Sequence, residues 1–169
     1  MNPLQVPRRV ALPLAFAIGL CAWIGATVAQ ERWATYSNPR FGTTADYPAD
    51  LFTVQDPPPE NGDGQGFRTA DGRAQLSIFG GYNVEHDTPQ SYVARNDEFE
   101  SASFKRVTSD FYAVSGTRDA AIYYDRCNFP PGNDDILNCI HITYPAAEKS
   151  AWDGIVTRIS QSLRPGPHL

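Results

Sequence analysis

The side chains best equipped for chemistry sit together late in the chain, in "CNFPPGNDDILNCIH". Cys127, Cys139 and His141 offer three possibilities. Two oxidised cysteines make a structural staple, a thiol pair of lowered pKa exchanges disulfides, and thiolates with an imidazole ligate a soft metal such as zinc. Exchange is disfavoured because no C-x-x-C spacing lowers a thiol pKa. Metal binding has one point in its favour: Cys139 and His141 are two residues apart and so share one face of a strand, where Cys127 could join them. A convincing fourth ligand is missing, so Cys127, Cys139 and His141 stand as the alternative metal set and no cofactor is expected.

The choice turns on compartment, which the N-terminus addresses. A cationic arm with Arg8 and Arg9 precedes an apolar run over residues 10–29, with small residues Thr27 and Ala29 at its end. These are the three parts of a secretory signal, and they predict cleavage between Ala29 and Gln30. Left uncut, the run is long enough to span a bilayer, giving an inner-membrane anchor as the alternative. Leu20 before Cys21 does not suit a lipoprotein signal, and "PRRVALPL" lacks the rest of a twin-arginine signal. Cys21 departs with the leader, leaving two cysteines in an exported domain. An even count there reads as a Cys127–Cys139 disulfide. Closing a loop of this length stabilises by roughly 3 kcal/mol in the chain-entropy model.

Other constellations are weaker. A hydrolytic site could draw on His141, Asp125 and a serine, but no G-x-S-x-G marks a nucleophile and no H-E-x-x-H marks a zinc site. His86 reads as a loop residue and His168 lies in the tail. The acidic pairs Asp134-Asp135, Asp97-Glu98 and Glu85/Asp87 read as solvated surface. "NGDGQG" from Asn61 to Gly66 lacks both the carboxylate an EF-hand needs at its twelfth position, where Gly72 stands, and the Gly-Lys-Ser/Thr of a phosphate loop. It reads as a surface turn, with Asn61 and Asp63 as candidate partner contacts. Of the aromatics near loops and strand ends (Tyr82, Tyr112, Tyr123, Tyr124, Phe129), most are expected in the core. The tip between the cysteines combines Phe129 with Asp134 and Asp135 on a stapled base, and is the first choice for a partner contact because preorganised loops bind at lower entropic cost.

Charge narrows the partners. Without Arg8 and Arg9 the 14 basic residues fall to 12 against 19 acidic ones, a net charge of −7. No basic patch interleaves with aromatics, so nucleic acid is excluded as a partner. A membrane is met only through an uncleaved N-terminal segment, and a protein or envelope component is the expected partner.

These side chains need elements to position them. "RWATYS" and "TTADY" read as strands around an "NPRFG" turn, and "PADLF" as one helical turn with Phe52 inward. Residues 56–66, with three prolines and three glycines, read as a loop. "FRTA" and "RAQLSIFG" flank Asp71-Gly72, a favoured two-residue hairpin turn. Thr88 and Pro89 cap a helix whose apolar face holds Tyr92, Val93, Phe99 and Ala102. "FKRVTSD", "FYAVSGTR", "DAAIYYDR" and "LNCIHITY" read as strands. Over residues 145–163, Trp152, Ile155, Val156, Ile159 and Leu163 recur at helical spacing. Strands in hairpins with segregated helices predict one α+β domain over residues 30–169, an antiparallel sheet with a mid-chain helix and a long C-terminal helix packed on it.

The opening text "YSNPRFGTTADYPADLF" and this element order resemble PsbP-like domains. Tyr36, Asn38, Phe41 and Gly42, followed by the Asn61–Gly64 loop, are also similar to small exported bacterial proteins of unknown function with a Y-x-N-x-x-F-G opening. The resemblance implies a PsbP-like fold and a non-catalytic binding or accessory role. It carries over no active-site residues. The competing expectation is a small metal-binding or hydrolytic protein centred on the Cys139/His141 strand.

Overall fold

A computed structural model describes residues 31–132 and 135–165. The expectations on Ala29, Gln30, Asp134 and His168 fall outside them.

The chain opens with a hairpin of β1 (Trp33–Ser37) and β2 (Thr44–Pro48). Seven further strands form one antiparallel sheet: β3 (Val54–Gln55), β4 (Gly64–Arg68), β5 (Gln75–Tyr82), β6 (Phe104–Val107), β7 (Phe111–Arg118), β8 (Ala121–Asn128) and β9 (Ile136–Pro145). Their order across the sheet is β3-β4-β5-β9-β8-β7-β6. The last strand in sequence therefore lies between β5 and β8. Helix α1 (Pro89–Arg95) follows β5, and α2 (Lys149–Ser162) follows β9. This is the α+β architecture expected from the sequence.

Each strand sends alternate side chains to opposite faces, so both faces need cover. Leu76, Ile78, Ile122, Ile140, Ile142 and Tyr144 form one face, buried against Trp152, Val156, Ile159 and Leu163 of α2 and its end. The β1–β2 hairpin lies on this side too. It is held by a bridge between Thr44 and Arg164 and by the Asp46 N–H donating to Ser162 Oγ at 2.8 Å. On the other face Tyr112, Val114, Tyr123, Leu137 and the two cysteines pack against Tyr92, Val93 and Phe99. Thr88 caps α1 as its residue type predicts, with its side chain accepting from the Ser91 N–H at 3.2 Å.

Four local expectations shift. The β4–β5 connection is not a two-residue turn at Asp71-Gly72. The last ladder pair is Arg68–Gln75, and the loop closes through Thr69 N–H to Ala74 O at 3.1 Å, because the Thr69 and Asp71 side chains organise a wider turn. Gly64–Gly66, read as loop, begin β4, since strand pairing to β5 outweighs the weak strand propensity of glycine. β6 stops at Val107, and Thr108 turns the chain. The C-terminal helix starts at Lys149 after a 3-10 turn over Ala146–Glu148.

Candidate functional site

The strand directions bring the ends of several loops to one end of the sheet. β5 leaves at Tyr82, β4 enters at Gly64 and β9 enters at Ile136, so residues 59–63, 83–88 and the β8–β9 tip emerge together. The β1–β2 loop, 38–43, joins them from the α2 side. Asn38, fully enclosed, organises it: its Oδ1 accepts from the Arg40 and Phe41 N–H groups at 3.0 and 2.7 Å, and its Nδ2 donates to Gly62 O at 2.9 Å. Arg40 donates to Asn61 O. Gly42, at φ 68°, takes the left-handed conformation that lets the loop return to Thr43. The two stretches that carry the resemblance, Tyr36 to Gly42 and Asn61 to Gly64, are therefore one interlocked unit.

That unit is pinned to the sheet. The Gly80 N–H donates to Asp63 O at 2.8 Å, and Asn138 Nδ2 donates to Thr43 Oγ1 at 2.7 Å. Phe41 lies over Gly80, where an added Cβ would stand 2.2 Å from the Phe41 Cβ. Across the strand end, Asn83 N–H donates to Asp135 O at 2.8 Å, joining the β5 exit to the hairpin tip. The platform displays apolar surface: Tyr82 is 59% and Val84 75% exposed. The Tyr82 ring meets Phe41 edge-on at 5.1 Å, and the Arg40 guanidinium stands 4.9 Å from the Phe41 centroid and 5.7 Å from that of Tyr82.

Of the candidate partner contacts, Asn61 and Asp135 are exposed on this end and Asp63 is half-buried. Phe129 is not: it is 8% exposed, packed against Tyr92 and Tyr112 at 6.0 and 6.2 Å between centroids. Phe129 N–H donates to Asp110 O at 2.7 Å, and the ring completes the α1-side core. The aromatic side chain exposed at this end is Tyr82. Alternation along β5 puts Tyr82 on the buried face of Leu76 and Ile78, so its place as the strand's last residue is the signal of exposure.

Cys127 and Cys139 are directly opposed in the β8–β9 ladder and joined as a disulfide, with Cα atoms 4.1 Å apart. Both are buried. Bonded to each other, they leave no thiolate to ligate a metal, which corrects the alternative set with His141. Among the described residues no three His, Cys, Asp or Glu converge as metal ligands.

His141 faces away from Ile140 and Ile142, as strand alternation requires, into a shallow cleft of about 430 Å³ beside Ser77, Phe79, Gly64 and Gly66. Its Nδ1 lies 2.6 Å from Asp125 Oδ1 on the neighbouring strand. That carboxylate raises the imidazole above its ordinary value, against partial burial, which lowers it. Ser77 stands opposite His141 in the β5–β9 register. The structure gives Ser77 Oγ no hydrogen bond to the ring, so the row is a His–Asp couple beside a serine and not an assembled triad.

No family model matches the chain, and no curated protein sequence matches it. Among solved structures it is similar to the solution structure of cyanobacterial PsbP (CyanoP) from Synechocystis sp. PCC 6803, with a TM-score of 0.56 over 88% of this chain and 98% of that one, at 13% identity. What the two share is the fold: this chain has the PsbP-like arrangement of sheet and helices.

Proposed function

We propose that this chain is an exported accessory module that binds a protein or envelope component through the loop end of its sheet and performs no chemistry of its own. One observation carries the reading: Tyr82, at the end of β5, and Val84, just beyond it, are displayed beside loops that are cross-bonded to each other and to the sheet. Exposed aromatic and aliphatic side chains on a rigid base bind at low ordering cost, and aromatics are enriched at interfaces. Asn61, Asp63 and Asp135 surround them as a polar rim. The Arg8/Arg9 arm and the apolar run up to Ala29 support export with a mature start at Gln30, and the disulfide suits an oxidising compartment.

A photo-crosslinking residue at position 82, in cells exporting the protein, tests the reading. Discrete adducts from position 82, absent when the probe sits at Glu100, are expected; equal labelling from both positions would count against it. The intact mass of the exported protein checks the start at Gln30.

The His141–Asp125 couple favours a second reading, hydrolysis in the adjacent cleft with Ser77 as nucleophile. A fluorophosphonate that labels Ser77, and fails to label a His141→Gln variant, would replace the first reading with this one.

A further inference from the structure

The loop end has a charge character as well as an apolar centre, and together they specify a partner. Tyr82 and Val84 stand two apart in sequence at the exit of β5, with Asn83 between them, its backbone tied to Asp135. Around them stand Glu60 beside Asn61, Asp63 at the head of β4, Glu85 next to Val84, and Asp135 at the hairpin tip. Glu60 and Glu85 have no ion pair among the described residues, and the Asp63 carboxylate accepts from Asn61 Nδ2 at 2.7 Å. Asp135 faces His86, 3.7 Å away.

The cations of this region are already engaged. Arg40 lies on the Phe41 and Tyr82 rings and bonds to Asn61 O, and Arg95 is held by Asp87. Arg40 keeps its charge, so it is the four carboxylates Glu60, Asp63, Glu85 and Asp135 against this one guanidinium that make the rim negative around an apolar centre. A like-charged partner would meet repulsion here, whereas a cationic one would be steered in and held.

Resting on the reading of this end as the recognition surface, we propose that its partner is a basic protein segment: lysines or arginines flanking an aliphatic or aromatic anchor that packs on Tyr82 and Val84. The flanking cations pair with Glu60, Asp63, Glu85 and Asp135. The anchor covers the exposed ring edge and the valine, excluding water from the centre of the contact.

The test uses two fluorescent octapeptides with the same tryptophan and leucines, one with four lysines and one with four glutamates, titrated with the mature protein at low and physiological salt. The lysine peptide is expected to bind, and to weaken as salt rises. A Glu60→Lys/Asp63→Lys/Glu85→Lys variant should lose more than tenfold in affinity. A variant of equal net charge, Glu31→Lys/Glu100→Lys/Asp153→Lys, should stay within about twofold. Equal losses in both variants would overturn the proposal, because general acidity would then explain the binding. Tighter binding of the glutamate peptide that Tyr82→Ala abolishes would also overturn it, while leaving the loop end as the recognition surface. Binding of the lysine peptide that Tyr82→Ala leaves untouched would overturn both.

Discussion

At the scale of single residues, the buried cystine and the His141–Asp125 couple make the sharpest predictions. Replacing both Cys127 and Cys139 by alanine removes a cross-link between residues 12 apart. Unfolding stability should fall by roughly 3 kcal/mol, read from urea midpoints with the slope checked for a changed denatured state. An unchanged midpoint would show that the link contributes nothing. For His141, the Asp125 carboxylate favours the imidazolium in the folded protein, so the folded pKa lies above the unfolded one, near 6.5. The sign follows from proton binding: the folded state holds its proton more tightly. This contribution to stability is complete below about pH 6.5 and is lost as pH rises through the raised folded value. Proton NMR of the His141 ring should show titration above 6.5, and Asp125→Asn should move it down. A midpoint at or below 6.5 in the unaltered protein would refute the coupling.

At the scale of elements, the β1–β2 loop depends on its close approach to β5. Gly80→Ala would place a methyl 2.2 Å from the Phe41 Cβ and 2.7 Å from Thr43 Oγ1. Neither is the far end of a flexible chain, so the loop must lift. We expect a loss of about 1–3 kcal/mol, with faster amide exchange in residues 38–43. Gly81→Ala is the control, since nothing lies within 4 Å of a Cβ added there. Equal behaviour of the two variants would mean that the loop is not held by this contact. Local text foretold the elements well where caps and periodicity speak: Thr88-Pro89 at α1, and the Trp152, Val156 and Ile159 stripe of α2. It missed the two-residue strand β3 and the start of β4, because those segments take strand geometry from ladder partners and not from their own propensity.

At the scale of the whole molecule, the sheet divides its labour between its ends and faces. Both faces are covered, one by α2 with the β1–β2 hairpin and the other in part by α1. Stability rests with the two cores, and the proposed recognition surface lies at the loop end. Tyr82→Ala and Val84→Ala remove exposed side chains outside either core. Each should change stability by less than about 0.5 kcal/mol, measured by thermal or chemical unfolding, while weakening capture of the partner. A large loss of stability would assign Tyr82 to packing and not to recognition.

Much of this was legible from composition and pattern alone: the α+β class, the disulfide, the order of strands and helices, and the opposite facing of His141 and its flanking isoleucines. The disulfide follows from a count of cysteines, and the rest from alternation and capping, which are properties of short stretches. The tertiary structure alone decided three things. It turned Phe129 inward, because its N–H is bonded to Asp110 O and its ring packs on Tyr92 and Tyr112. It set His141 against Asp125, because strand register, not spacing, makes residues 16 apart in sequence neighbours. And it brought Asn38 to Gly62, joining two turns from separate hairpins into the platform beneath Tyr82, because only the packing of the β1–β2 hairpin on the sheet closes that distance.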